Sequence, residues 1–596
     1  MSQTHHQRLT ALRSHFDSWD VDAVLVPRYD EHQGEYCAPH DERLAFLTGF
    51  SGSAGLCLVL RERAILFVDG RYQVQVRQET DAGSFEIAHL IDDPVERWLE
   101  REAPAGVRLG LNAMLIPASL HERIERSVSR LGGGVTALAG DPVDAIWPEQ
   151  PEKPTGRITP MPVERAGESS ADKRARVAKR LREMRANLLI EAQPDNIAWL
   201  LNVRGSDVAF TTAPQSFLLI DDGGAVEWFV DTRKLPNDRS DLELDDVALA
   251  DPSTLLARIA ERARGQTVVV DPDQASVALS LAAKDGGGRV DARMSPITLI
   301  KAHKNPIELQ GFRDCHIEDG AAWTNFNAWL LHEAPARAAA GHPVREMEVE
   351  EQMLAFRARS PSFIGASFHP ISAAASNAAM CHYSSSPATN AALTEHAPFL
   401  LDSGGHYLSG TTDATRTIAL GPQSETVCTA YTAVLKGFLA MLMLRFPAGT
   451  YGHQIDAFAR QALWDLGLDF DHGTGHGVGH VGAIHEGPHR ITRNPNPFRI
   501  EAGIVLTVEP GYYRTDAFGI RIENQVEAVD DGGGFLRLES LTQIPIATDM
   551  IDVAALTRAE IAFLDRYHAG VREHLLGRVL PEATSYLLAA TAPLST

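Results

Sequence analysis

The segment from Asp402 to Glu523 constrains this chain more than any other. Asp402 closes the apolar run Phe399-Leu400-Leu401, and Asp413 follows eleven positions later across a Gly-rich turn. Glu509 ends the run Ile504-Val505-Leu506-Thr507-Val508, and Glu523 follows Ile520-Arg521-Ile522. A carboxylate at the end of an apolar strand gives up hydration at a cost of several kcal/mol unless it is compensated. Four of them cannot stay ionised in one pocket without cations between them. Asp402 and Asp413 flank a turn, as in a hairpin that brings both to one place. We therefore read the four acids and one histidine as ligands converging on metal.

A carboxylate-rich set with one imidazole suits hard divalent ions, Mn²⁺ or Co²⁺ ahead of Zn²⁺. Two such ions about 3.5–4 Å apart make a hydrolytic site. His382, His472, His476 and His485 each sit in a Gly- or Ser-rich approach to the acidic strands. One can be a ligand, and the others suit hydrogen bonding to a substrate carbonyl and a developing oxyanion. The residues alone leave open which is which. His406, His480 and His489 are read as structural. Cys381 beside His382 makes a poor nucleophile pair, because neighbours on an extended strand point to opposite faces. The glycines of 473–479 lack the spacing of a phosphate-binding loop. They read instead as positions where backbone passes close to the site.

The chain's 596 residues exceed one core and indicate about three to four domains. A net charge of −23 argues against a basic nucleic-acid-binding surface. The five cysteines are scattered without disulfide or zinc spacing, which points to a reducing compartment. Met1 to Asp20 lacks the apolar core of a signal peptide, and no run reaches the roughly 20 apolar residues of a membrane span. A cytoplasmic location is expected.

Ala23–Pro27 reads as a strand, and 56–60 with 64–68 as a hairpin turned by Arg61-Glu62-Arg63. Pro148, Pro151, Pro154, Pro160 and Pro162 mark a stiff linker. The next segment repeats the first. Leu44-Ala45-Phe46-Leu47-Thr48-Gly49 parallels Ile197-Ala198-Trp199-Leu200-Leu201-Asn202 at an offset of 153, and Phe67-Val68-Asp69 parallels Phe229-Val230-Asp231 at 162. Two motifs that keep their order predict two similar α/β domains, 1–155 and 160–303. Asn305, Pro306 and Glu308 form a capping-box signature that predicts a long helix through Trp323 to His332. It opens a third domain, 304–596, of mixed α and antiparallel β structure.

The motifs around these acids resemble those of the pita-bread metallopeptidases, and the whole chain is similar to the three-domain form of the aminopeptidase P family. The resemblance rests on Asp402-Ser403-Gly404, Gly410-Thr411-Thr412-Asp413-Ala414-Thr415-Arg416, His472-Gly473-Thr474-Gly475-His476-Gly477, His485-Glu486-Gly487-Pro488, Glu509-Pro510-Gly511-Tyr512-Tyr513 and Gly519-Ile520-Arg521-Ile522-Glu523. Phe50-Ser51-Gly52-Ser53 and Val203-Arg204-Gly205-Ser206-Asp207 add weaker support. It implies two creatinase-like N-terminal domains ahead of a pita-bread catalytic domain. It further implies that Asp402 chelates one metal, that Asp413 and Glu523 bridge both, and that His476 and Glu509 hold the second. By the same resemblance, His382 and His485 contact the substrate around the scissile carbonyl, His472 lines the proline pocket, and Arg521 and Tyr513 orient ligands. The Ala- and Ser-rich segment from Pro370 to Cys381 departs from the varied loop expected there.

The implied activity is removal of the N-terminal residue from peptides with proline second. A metal-bridging hydroxide attacks, and Glu509 carries the proton to the leaving nitrogen. The resemblance also implies two ions, Mn²⁺ foremost, and a homodimer formed through the catalytic domain; no nucleic-acid or membrane partner is expected. Two alternatives stand beside it: an Xaa-Pro dipeptidase (prolidase) with the same metals, and a pita-bread module that has lost catalysis and binds proteins. All five candidate ligands are present, which counts against the second.

Overall fold

The computed structural model describes residues 4–594, which divide into two compact units: one running to Val163 and from Glu168 to Thr298, the other comprising Glu164–Gly167 and Leu299 onward. The first unit contains two six-stranded sheets of one design. β1 (Ala23–Pro27), β2 (Gly55–Leu60), β3 (Ala64–Val68), β4 (Glu86–His89), β5 (Arg108–Leu111) and β6 (Gly134–Ala137) are ordered β4-β3-β2-β1-β5-β6. The linker strand β7 (Thr159–Pro160) pairs with β9 (Val203–Arg204). β8 (Leu188–Glu191), β10 (Phe217–Asp221), β11 (Val226–Phe229), β12 (Ala248–Ala250), β13 (Thr267–Val270) and β14 (Arg289–Ala292) take the order β12-β11-β10-β8-β13-β14.

Strand directions repeat as well. The first strand of each sheet is antiparallel to the hairpin and parallel to the strand on its other side. The repeat extends to single residues. Phe67 and Phe229 sit near the ends of β3 and β11, and Asp69 and Asp231 each accept from the amide two residues on and grip Arg71 or Arg233. Gly49 and Asn202 are both left-handed caps of the preceding helix, at φ 82° and 52°. Glycine and asparagine are the residues that reach this conformation at least cost.

The Pro-rich linker is packed rather than free-standing. Ile158 and Met161 are buried, and the Gly156 amide donates to Asp207, whose carboxylate also pairs with buried Lys234 at 2.7 Å.

The second unit opens on the helix Pro306–Ala339, capped by Asn305 and Glu308 in a complete capping box. It runs past His332, further than the sequence predicted. A six-stranded antiparallel sheet follows the order Arg445–Pro447, Phe535–Ser540, Asn524–Asp530, Val505–Val508, Gly475–Gly477, Glu486–Ile491. Helices Glu425–Leu442 and Gly452–Trp464 share a core with it, in which Val434, Phe438, Leu506, Val508 and Val526 are fully buried. Each such side chain contributes about 1.5–3 kcal/mol. Two three-stranded sheets complete the frame, Phe363–Ala366/Gly405–Tyr407/Gly410–Thr411 and Ile371–Ala374/Phe399–Asp402/Thr415–Ile418, with the hairpin Gly511–Arg514/Phe518–Arg521.

Candidate active site

Each acid stands where a strand of the second unit ends or turns. Asp402 is the last residue of Phe399–Asp402 and pairs in register with Thr415. The chain between Asp402 and Asp413 is a hairpin bent across two sheets, since Gly405–Tyr407 pairs with Gly410–Thr411 elsewhere. Glu509 follows strand Val505–Val508, and Glu523 lies between Phe518–Arg521 and Asn524–Asp530. His476 occupies the middle of Gly475–Gly477. Two glycines permit this convergence. A Cβ on Gly475 would stand 1.9 Å from the Thr507 carbonyl oxygen, and one on Gly519 would stand 1.8 Å from that of Ala378. The second contact explains the glycine at 519: the 3₁₀ turn Ala375–Ala379 lies directly against strand Phe518–Arg521.

Oxygen or nitrogen atoms of Asp413, His476 and Glu523 all lie within 4.8 Å of one another, and all three residues are buried. His476 Nε2 is 3.5 Å from Asp413 Oδ2 and 3.8 Å from Glu509 Oε1. Its Nδ1 donates to the Gly477 carbonyl at 3.0 Å, which leaves Nε2 as the ring nitrogen turned toward the carboxylates. Asp402 joins through Arg521, whose Nη2 donates to Oδ2 at 2.6 Å. Asp402 Oδ1 is buried with no hydrogen-bond donor. Burial, then Asp402 and Glu509, push the Asp413 pKa well up; burial, then Asp413 and Asp402, do the same to Glu523. Glu509 is raised likewise by burial and Glu523. Arg521 is the one guanidinium acting on all of these shifts. Four carboxylates around one guanidinium, with an orphaned buried acceptor among them, form a donor set that fits hard divalent cations.

His485 precedes strand Glu486–Ile491, half-buried, its ring perpendicular to that of His476 at 4.4 Å. His472 accepts or donates at Nε2 with Tyr513 Oη at 2.8 Å, and its Nδ1 lies 3.9 Å from Glu509 Oε2. Burial and the Arg521 charge hold its pKa down at about 3. His382 lies, with Cys381, in the turn after Ala375–Ala379. That corrects the extended strand used above to separate the pair. The adjoining Tyr383 hydroxyl is fixed by Glu346 at 2.9 Å. His406 contacts Thr411 Oγ1, His480 contacts the Ser409 carbonyl, and His489 is buried.

Three further residues escaped the sequence reading. Thr415 Oγ1 donates to Glu523 Oε2 at 2.7 Å, Gln525 Oε1 accepts from the Asp413 amide at 2.8 Å, and Thr507 Oγ1 accepts from the His476 amide at 3.1 Å. Thr415 and Gln525 stand two positions after Asp413 and Glu523, the strand spacing that returns a side chain to the same face. That alternation was a usable signal.

Family models match the chain along most of its length. The creatinase/prolidase N-terminal domain matches twice, over residues 8–136 and 149–308, metallopeptidase family M24 over 310–530, and the C-terminal region of peptidase M24 over 534–594. These define an M24-type metallopeptidase fold, the pita-bread fold, behind two creatinase-like α/β domains. Aminopeptidase P1 of Arabidopsis thaliana is 34% identical over 98% of this chain and 99% of the relative. A probable Xaa-Pro aminopeptidase P of Podospora anserina is 37% identical over 98% of this chain and 89% of its own. A crystal structure of X-prolyl aminopeptidase from Caenorhabditis elegans, described as a cytosolic enzyme with a di-nuclear active site, matches with a TM-score of 0.94 at 32% identity, covering 99% of this chain and all of that one. The chain belongs to the Xaa-Pro aminopeptidase P family.

Proposed function

We propose that this protein releases the N-terminal residue from peptides with proline in the second position, using two divalent ions, Mn²⁺ foremost. The observation that carries the reading is the convergence of His476 Nε2, Asp413 and Glu523 beside Asp402 and Glu509 around a single guanidinium. Asp402 would hold one ion, Asp413 and Glu523 both, and His476 and Glu509 the second. When bound, the ions activate water and polarise the scissile carbonyl. The chain's own groups do the rest. Glu509 takes the proton and passes it to the prolyl nitrogen. His485 donates to the carbonyl oxygen as charge develops, with His382 on the other approach. Neutral His472 lines the proline pocket. Arg521 and Tyr513 hold Asp402 and His472 in place. A bond to proline carries no N–H, so recognition must fall on the ring.

The reading includes domains 1–155, 160–303 and 304–596, a cytoplasmic location and a homodimer through the third domain. No helix among the described residues is long and apolar enough to cross a membrane. The test is turnover of Xaa-Pro-Xaa against Xaa-Pro, before and after chelation. Cleavage of the tripeptide, lost on chelation and restored by Mn²⁺, supports it; cleavage of the dipeptide alone replaces it with a prolidase. A sedimentation mass near 64.9 kDa at micromolar concentration contradicts the dimer.

A further inference from the structure

Behind the carboxylates lies a buried ion pair that the proposed chemistry does not use. Arg357, the last residue of helix Glu346–Arg357, places Nε 2.7 Å from Oδ1 of Asp319, on helix Pro306–Ala339. The two side chains are 0% and 2% exposed. Each partner then reaches the hairpin. Arg357 donates from Nη1 to Ser403 Oγ and from Nη2 to the Ser403 carbonyl at 2.9 Å. Asp319 accepts from Thr412 Oγ1 at 2.9 Å and from the Tyr407 hydroxyl at 2.8 Å. Thr412 Oγ1 in turn accepts from the Gly405 amide at 3.0 Å. Ser403 is the residue after Asp402, and Thr412 is the residue before Asp413.

We infer that the Asp319–Arg357 pair positions metal ligands, clamping the hairpin at the residue beside each aspartate so that Asp402 and Asp413 face one another before an ion arrives. This rests on the ligand reading given above. Like charges repel across the hairpin, so the apo chain needs a scaffold that resists their separation. A buried ion pair is a poor source of net stability, because desolvation consumes most of its attraction. What it provides here is direction: a planar guanidinium donates to Ser403, and a carboxylate accepts from Thr412 and Tyr407, at fixed angles. Outer partners of this kind, when removed, cost about 10–100-fold in metal affinity or activity.

The experiment titrates metal-free full-length protein with MnCl₂ by calorimetry and records thermal unfolding of the same metal-free samples. Asp319→Asn and the near-isosteric Thr412→Val are expected to lower Mn²⁺ affinity by about 10–100-fold. Activity should return at high Mn²⁺ with KM unchanged. Tyr407→Phe, which removes a bond to Asp319 but adjoins no ligand, should leave the affinity near wild type. Wild-type Mn²⁺ affinity in Thr412→Val, with only the unfolding temperature lowered, overturns the inference and leaves the pair a structural tie. Should Asp319→Asn fail to fold, Thr412→Val decides alone. Asp402→Asn runs alongside: if it too binds two Mn²⁺ as wild type does, it is the ligand reading that fails.

Discussion

The hydroxyl of Tyr513 lies 2.6 Å from Nη1 of Arg521 and 2.8 Å from Nε2 of His472. The guanidinium can only donate, so Tyr513 accepts from it and spends its own proton on His472. His472 is thereby fixed as the Nδ1–H tautomer, donating to the Gly473 carbonyl at 2.8 Å. One arginine thus sets both a carboxylate oxygen of Asp402 and, through a phenol, the face of a histidine.

Tyr513→Phe removes the relay without changing the volume of the site. A lost hydrogen bond to a charged group costs about 1.5–3 kcal/mol, roughly 10- to 100-fold in rate. We expect kcat/KM for an Xaa-Pro-Xaa tripeptide to fall within that range while metal content stays at the wild-type value. Wild-type kinetics would show that the relay does not orient His472.

Asp413→Asn and Glu523→Gln each remove one charge from the buried cluster. Both variants should fold, as circular dichroism checks, lose one or both ions, and show activity at background. Elemental analysis that finds two ions in both variants contradicts a shared, bridging role.

How much of this was legible in the sequence follows from the kind of signal each feature leaves. The acids were readable because an apolar strand ending in a carboxylate is an energetic contradiction that demands a partner. Asn305-Pro306-Ile307-Glu308 was readable because a capping box is local. The repeat was readable in its Phe-Val-Asp corners, whose aspartates cap identical turns. Asp319 and Arg357 were not readable. They lie on two helices 38 residues apart and meet Ser403 and Thr412 only through tertiary folding. The tight Ala375–Ala379 turn was equally hidden, since its backbone packs against Gly519, far along the chain.

Glu191 gives the first unit a pH signature. It is 2% exposed, and burial raises its pKa to about 7, although Ser295, Asn196 and the Gln193 amide donate to it. The nearby Asp271 raises it further. The folded state therefore holds this proton more tightly than the unfolded state, whose carboxyl titrates near 4.3. The contribution is fully present below that value and is lost as pH rises through about 7. The difference amounts to at most about 3–4 kcal/mol at 1.36 kcal/mol per unit. Glu191→Gln should flatten the pH dependence of unfolding between those limits relative to wild type. Denaturant melts at pH 5 and pH 7.5 measure this, and an unchanged difference between the two proteins refutes it.

The sharpest prediction separates His476 from His485, which stand nine positions apart with their rings 4.4 Å apart. His476 directs a ring nitrogen at Asp413 and Glu509 while its other nitrogen is committed to a backbone carbonyl, the arrangement of a ligand. His485 stands half-buried at the start of the strand that carries Glu486. His476→Ala should weaken Mn²⁺ binding by at least about the 10–100-fold that follows loss of a ligand's outer partner. Excess Mn²⁺ should then restore part of its activity. His485→Ala should bind both ions normally and lose about 10²–10³ in kcat, the scale for removing one oxyanion donor. Added Mn²⁺ should not recover that loss. Metal titration of both variants, followed by kinetics at low and high Mn²⁺, distinguishes the two roles. Rescue of His485→Ala by metal, with His476→Ala indifferent to it, would mean that the ligand and the catalyst have been exchanged.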